Sequence, residues 1–277
     1  MSMSGAPDPL YVAARRVLLD ALDGIRDHLD ALVLVGAQAV YMHAQGIDIG
    51  IAPMTTDGDL AIDPTRLGPE PLLEVALAEA GLSRQRDVVG IWQKSIDVEG
   101  TSRPIQVDLL VPDSIGGPGR RGARLPPHAK NIARKVIGLE GALVDRDLHL
   151  ITALDANDSR SVEMAVAGPA ALIVAKVHKI QERVNDRDRL TDKDALDVYR
   201  LLRAVPTAEL TRRFRGLRED PLSRAVAEQA LQGLPGLFGA RRRPGVLMAT
   251  RATGAFEASE TVAASLVTLT DDLLKEL

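Results

Sequence analysis

No cysteine occurs in the 277 residues of this chain. That excludes disulfides, thiolate metal sites and a cysteine nucleophile, and it agrees with a reducing compartment. Aromatic residues are scarce, at 3%, so the core must be built from Leu, Val, Ile and Ala. No apolar stretch reaches about 18 residues, so no membrane span is expected. The opening MSMSGAPDPLY has no basic start followed by an apolar run. No signal peptide is therefore expected, and the expected location is cytoplasmic. Neither sign of charge dominates: 34 Lys and Arg stand against 38 Asp and Glu, a formal net charge of −4. Nucleic-acid binding would have to come from local basic patches rather than from the total. Lysine is rare beside arginine, which makes each lysine in a cleft conspicuous. The 45% of hydrophobic and 26% of charged residues fit a soluble chain with a real core. The length suits one large domain or two ordinary ones.

Periodicity organises the chain. An amphipathic helix is predicted over 9–29, with Leu10, Ala13, Ala14, Val17, Leu18, Ala21 and Leu22 on one stripe. Ala31 to Val35 is a short apolar run ending at Gly36, and a helical pattern follows through Ala39, Val40, Met42 and His43 to Gly46. A loop over 47–53 leads to the segment TTDGDLAID. A helix is predicted over 72–80 and strands over 88–93, 96–98 and 104–112, the last with proline at both ends. A Gly/Pro/Arg loop occupies 115–128, and strands or extended pieces are read over 138–144 and 147–153. After Gly168-Pro169 the character becomes helical, with helices over 169–183, 191–204, 207–217, 221–231 and 259–277 and a basic loop at 239–245. The expected class is α+β: a mixed sheet flanked by helices over 1–160, then a helical bundle over 161–277.

Several patterns carry chemistry. Asp57 and Asp59 lie two apart ahead of the apolar Leu60, Ala61 and Ile62, and side chains two apart on a strand share a face. At about 4 Å and an effective dielectric of about 20, two such charges repel by roughly 4 kcal/mol. A divalent cation is the simplest partner; a solvated Asp-Gly turn is the other reading. Gly36-Ala37-Gln38 at a strand-to-helix turn would let a backbone pass close to a phosphate and offer free amides, or it simply makes the turn. In IQVDLLV, Asp108 sits among apolar residues and needs a partner, either in a shared acidic site or as a backbone amide or arginine.

In PAALIVAKVHKIQER, Lys176 follows an unbroken apolar start, and Lys179 and Arg183 share its face. Together they read as a cationic rail for a triphosphate. The alternative is a lysine reaching outward at the first wet turn. In TDKDALDVYRLL, Thr191 and Asp194 fit a capping-box variant.

Taken in order, these pieces resemble the nucleotidyltransferase superfamily of the DNA polymerase beta type. KVHKIQER and KDALDVYRLL narrow the resemblance to the AbiEii/AbiGii (MenT-like) toxin family. Its Lys-x-His with a later Arg, then Lys-Asp and a further Asp, fall here on Lys176, His178, Arg183, Lys193, Asp194 and Asp197. The resemblance covers roughly 30–205 and implies a nucleotidyltransferase-type sheet. It implies that Asp57, Asp59 and Asp108 serve a Mg²⁺ site. It assigns Gly36, Ala37, Lys176, Lys179 and Arg183 to a nucleoside triphosphate, with Asp194 orienting Lys176 or the nucleotide. It also implies a tRNA 3′ end as acceptor and a cognate antitoxin as partner. One position departs: the superfamily usually has Gly-Ser or Gly-Gly where this chain has Gly36-Ala37. The exposed-looking cations Arg120, Arg121, Arg124, Lys130, Arg134, Lys135 and Arg241 to Arg243 would receive an RNA backbone or simply be solvated. Transfer to a protein or small molecule, and a degenerate nucleotide- or partner-binding protein, are the competing expectations.

Overall fold

The computed structural model describes residues 7–47, 53–184, 186, 191–254 and 257–277. Helix α1 (Pro9–Gly24) starts where Asp8 Oδ1 accepts the amide of Leu10 at 2.8 Å, a side-chain N-cap beside a proline at the first helical position. It stops at Gly24, five residues before the predicted end. A Cβ there would lie 2.8 Å from the Cβ of Ala80, so only a glycine permits the approach. The rest of the predicted helix winds into a 3₁₀ turn (Arg26–Ala31).

Strand β1 (Leu32–Val35) is buried at every position and runs straight into α2 (Gly36–His43). Then follow β2 (Asp57–Ile62), α3 (Leu73–Glu79), the two-residue β3 (Ser83–Arg84), β4 (Ile91–Val98) and β5 (Thr101–Pro112). The strands expected at 88–93 and 96–98 are one strand, paired with β5 from Ile91 opposite Asp108 to Val98 opposite Thr101. The turn between them is Glu99-Gly100, both with positive φ (52° and 77°), the geometry that suits the twist of a two-residue hairpin. Next are β6 (Arg134–Val136), β7 (Arg146–Thr152) and β8 (Ser161–Ala167). The expected strand at 138–144 is instead a 3₁₀ turn over Glu140–Leu143.

The sheet order is β3-β4-β5-β2-β1-β8-β7, with β6 beside β5. It is mixed: β1 is antiparallel to β2 and parallel to β8, and β2 is parallel to β5. Among the described residues the helices that follow are α4 (Pro169–Arg183), α5 (Asp192–Ala204), α6 (Thr207–Glu219), α7 (Arg224–Phe238), α8 (Pro244–Thr253) and α9 (Ser259–Glu276). The class is α+β, a mixed sheet with helices followed by a helical region. Two compact units divide the chain: Met1–Gln38, Ala52–Val136 and Leu148–Val166 form the sheet unit, and Ala39–Ile51, Ile137–Asp147 and Ala167–Leu277 the helical unit. Among the described residues no helix is long and apolar enough to cross a membrane.

Candidate functional site

The sheet unit brings Gly36, Asp59 and Asp108 together. Antiparallel register sets Val35, the last residue of β1, opposite Asp59. Parallel register sets Asp59 opposite Asp108 and Asp57 opposite Gln106. Asp57 and Asp59 project to one face of β2, as the spacing predicts, each half-buried. Asp108 is buried at 6% exposure.

Gly36 turns the chain from β1 into α2 at φ +70°, a region that glycine enters without steric cost. A Cβ on it would stand 1.9 Å from Oδ2 of Asp59. The carboxylate therefore rests in the space a side chain would fill. Ala37 follows in the first turn of α2, buried at 5% exposure.

Each carboxylate has a distinct neighbour. Thr55 Oγ1 donates to Asp57 Oδ1 at 2.5 Å. Arg134 Nη2 donates to Asp108 Oδ2, also at 2.5 Å, in a pair whose side chains are 35% and 9% exposed. The arginine partner considered for Asp108 in the sequence is thus present, and it comes from β6. Among the described residues no group of three or more His, Cys, Asp or Glu side chains is arranged to hold a metal ion. The pair Asp57 and Asp59 still suits magnesium, which is commonly held by one or two carboxylates together with substrate phosphates.

A buried chain of hydrogen bonds supports the face from below. Arg15 Nε donates to Gln38 Oε1 at 2.7 Å, and Gln38 Nε2 donates to the carbonyl of Asp57 at 2.9 Å. Arg15 Nη1 also donates to the carbonyl of Thr152 at 2.8 Å, and Nη2 to the Tyr11 hydroxyl at 3.3 Å. Arg15 and Gln38 are 4% and 1% exposed. Burial pulls the Arg15 guanidinium below its usual range against the opposing pull of Tyr11, and burial pushes the Tyr11 hydroxyl up. In the sequence the one mark of Arg15 is a charge within the apolar stripe of α1, four positions after Tyr11.

The helical unit gathers the other candidates around Lys176. Its Nζ donates to Asp194 Oδ1 at 2.9 Å and to Asp197 Oδ2 at 2.7 Å. Lys176 is 6% exposed and Asp197 fully buried, so the lysine neither reaches outward nor offers an open charge. Burial works to lower the Lys176 ammonium, but Asp197 and Asp194 outweigh it and raise it above the usual lysine range. Burial works to raise the Asp194 carboxyl, but Lys176 and Lys179 hold it well below the usual carboxylate range.

Around this core, Lys179 Nζ lies 3.0 Å from Asp194 Oδ1 and Thr191 Oγ1 donates to Asp194 Oδ2 at 2.8 Å. Arg200 Nη1 donates to Asp197 Oδ1 at 3.3 Å and lies over the Tyr41 ring at 5.0 Å. His178 points away, its Nε2 2.9 Å from the carbonyl of Val226. Arg183 joins no ion pair of this cluster among the described residues. Of the basic stretches, Arg120, Arg121, Arg124, Lys130 and Arg241 to Arg243 are exposed, Lys135 pairs with Asp113 at 3.3 Å, and Arg241 pairs with Glu260.

No family model and no curated protein matches the chain. Two solved structures are similar over nearly its whole length. JHP933 from Helicobacter pylori matches at 12% identity and a TM-score of 0.47, over 98% of this chain and 94% of that one. A "putative nucleotidyltransferase from H. pylori" matches at 10% identity and a TM-score of 0.36, over 96% of this chain and 95% of that one. At such identities these are likenesses of chain course, and the chemistry must be read from the residues themselves.

Proposed function

We propose that the chain is a Mg²⁺-dependent nucleotidyltransferase that moves a nucleoside monophosphate from a nucleoside triphosphate to an acceptor hydroxyl, with the 3′ end of tRNA as acceptor. In this reading it acts in the cytoplasm as the toxin beside a cognate antitoxin. The observation that carries the reading is the seating of Asp59 against Gly36. A carboxylate beside a side-chain-free strand-to-helix turn, with Asp57 on the same face and Asp108 in register beside it, gathers acidic groups at the start of α2. That combination suits a metal-bound phosphate.

Each group has a defined part. Asp57 and Asp59 would hold magnesium, whose charge would neutralise the phosphate oxygens during transfer. The amides of the first turn of α2 would bind phosphate through the Gly36-Ala37 turn; the missing hydroxyl at Ala37 leaves that task to the backbone. Asp108 would complete the acidic face or take the proton of the attacking hydroxyl. Asp194 orients Lys176, whose charge is already spent on two carboxylates; Lys179 also lies 3.0 Å from Asp194, but with its side chain 39% exposed it is the more accessible of the two to a triphosphate. The remaining work is positioning.

The test uses each labelled nucleoside triphosphate with Mg²⁺ and total tRNA. Label is expected on tRNA with the wild type and should fall about a hundredfold or more with Asp59→Ala, the scale of losing one preorganised electrostatic group. In bacteria the wild type should arrest growth and Asp59→Ala should not. Absence of transfer to tRNA, protein or small acceptor overturns the reading. A second reading, a nucleotide-binding protein without catalysis, is favoured by the pairing of Asp108 with Arg134. It would appear as retained triphosphate binding with no transferred label.

A further inference from the structure

We propose that Arg134 is a cationic place-holder, which neutralises Asp108 and yields it to an incoming divalent cation. The inference rests on the reading of Asp57, Asp59 and Asp108 as an acidic metal face.

Three observations lead to it. First, register alone puts the carboxylates of Asp59 and Asp108 on adjacent strands, directly opposite one another. Like charges so placed repel, and a buried carboxylate needs a countercharge. Second, Arg134 supplies that charge to Asp108 at 2.5 Å from β6. That three-residue strand lies alongside β5, with Arg134 opposite Leu110. Third, the Arg134 side chain is 35% exposed, while that of Asp108 is 9% exposed. The cation therefore approaches from the wet side and has somewhere to go, whereas the carboxylate is fixed in the sheet.

An arginine held by one ion pair at a half-exposed position differs from a buried structural pair. Its side chain is 35% exposed, so it can change partners toward solvent, provided that the arriving cation takes over the charge of the buried Asp108. The exchange is chemically matched. A divalent cation at the acidic face removes the need for the guanidinium, and the anionic phosphates of a nucleotide are the partners a guanidinium fork binds well. Arg134 would then leave Asp108 for a phosphate oxygen when metal and nucleotide arrive together. Before they arrive, it opposes metal binding.

That opposition gives the test its sign, because removing a residue should improve binding. Mn²⁺ serves as the probe, titrated into the full-length protein and followed by its electron paramagnetic resonance signal, without nucleotide. Arg134→Met is expected to bind Mn²⁺ roughly fivefold or more tightly than wild type, the low end of ordinary coupling between two ligands. In an Asp108→Asn background the same change should make little difference. Arg134→Met should also weaken triphosphate binding measured in the presence of metal. Unchanged or weaker Mn²⁺ binding by a folded Arg134→Met protein overturns the proposal. Should that variant fail to fold, Arg134→Gln replaces it: it keeps a hydrogen-bond donor but removes the charge, so it should still tighten Mn²⁺ binding, and no tightening is equally fatal. If instead wild type binds Mn²⁺ no better than Asp57→Asn and Asp59→Asn, the metal face itself fails and the place-holder falls with it.

Discussion

Gly36 shows how much a single residue can demand. Its φ of +70° excludes most side chains on conformational grounds, and the Asp59 carboxylate excludes them again by occupying the Cβ position. Gly36→Ala is therefore expected to strain the backbone and push Asp59 out of place, at a cost of about 1–3 kcal/mol for the backbone alone. Urea unfolding measures that cost. Mn²⁺ affinity measures the second effect, and it should fall even where the protein stays folded. If stability falls while metal affinity holds, Gly36 serves only the turn. The same residue marks what the sequence could disclose. A glycine between an apolar run and a helical pattern, followed by Asp-x-Asp, is visible as text. The parallel pairing that brings Asp108 opposite Asp59 is not, because no local signal says that β2 and β5 are neighbours. Lys176 behaves alike: the need for an anion was readable from the apolar run before it. That the need is met by two carboxylates, leaving no open charge, depended on how α4 and α5 pack.

At the scale of elements, the relay from Arg15 through Gln38 to the carbonyl of Asp57 ties α1, the first turn of α2 and the first residue of β2 together. Arg15 and Gln38 are both buried, and hydrogen-bonded polar groups in such surroundings rigidify what they connect. Gln38→Glu separates support from packing. The substituted carboxylate still accepts from Arg15, but it can no longer donate to the Asp57 carbonyl and instead faces it with an anion. Hydrogen exchange over residues 55–59 should therefore quicken, while the thermal midpoint changes by only a few degrees, the scale of about 1 kcal/mol. Unaltered exchange there would make the relay a packing feature of α1 alone. The elements legible in the sequence are those with one dominant local signal. Helix α4 begins and ends as its pattern predicts because Pro169 and the apolar run agree. Strand β8 and helix α8 lack such a signal. The alternation in SVEMAVA is short, and α8 follows directly on a Gly/Arg/Pro stretch that reads as loop. Residues 138–144 misled because their apolar content suggests a strand. Their local bonding, with Glu140 Oε2 accepting the amide of Gly138 at 2.9 Å, closes a tight turn.

Over the whole molecule the net charge is small, −4, so its response to pH is set by local pairs rather than by general repulsion. The Lys176 cluster is the strongest of these. A carboxyl whose folded pKa lies below its unfolded one, like Asp194, binds fewer protons in the folded state between the two values. Its stabilisation is complete above the unfolded value of about 3.9 and is lost as pH falls through the folded one. Lys176, raised above its ordinary value, contributes fully below about pH 10.4 and is lost only as pH climbs through the raised value. The cluster should thus act at full strength from about pH 4 to about pH 10. Asp158, lowered to about 2 by hydrogen bonds from Arg160, titrates in the same sense as Asp194. Urea unfolding followed by the helical circular-dichroism signal should therefore show a stability that these groups leave flat through neutrality and that drops below about pH 4. Asp194→Asn should lose about 3–5 kcal/mol at pH 7, the cost of breaking a buried pair from one side, and should show a shallower acid slope than wild type. An acid slope equal to that of wild type would place the sensitivity elsewhere. It would also mean that Asp197 alone suffices to hold the lysine.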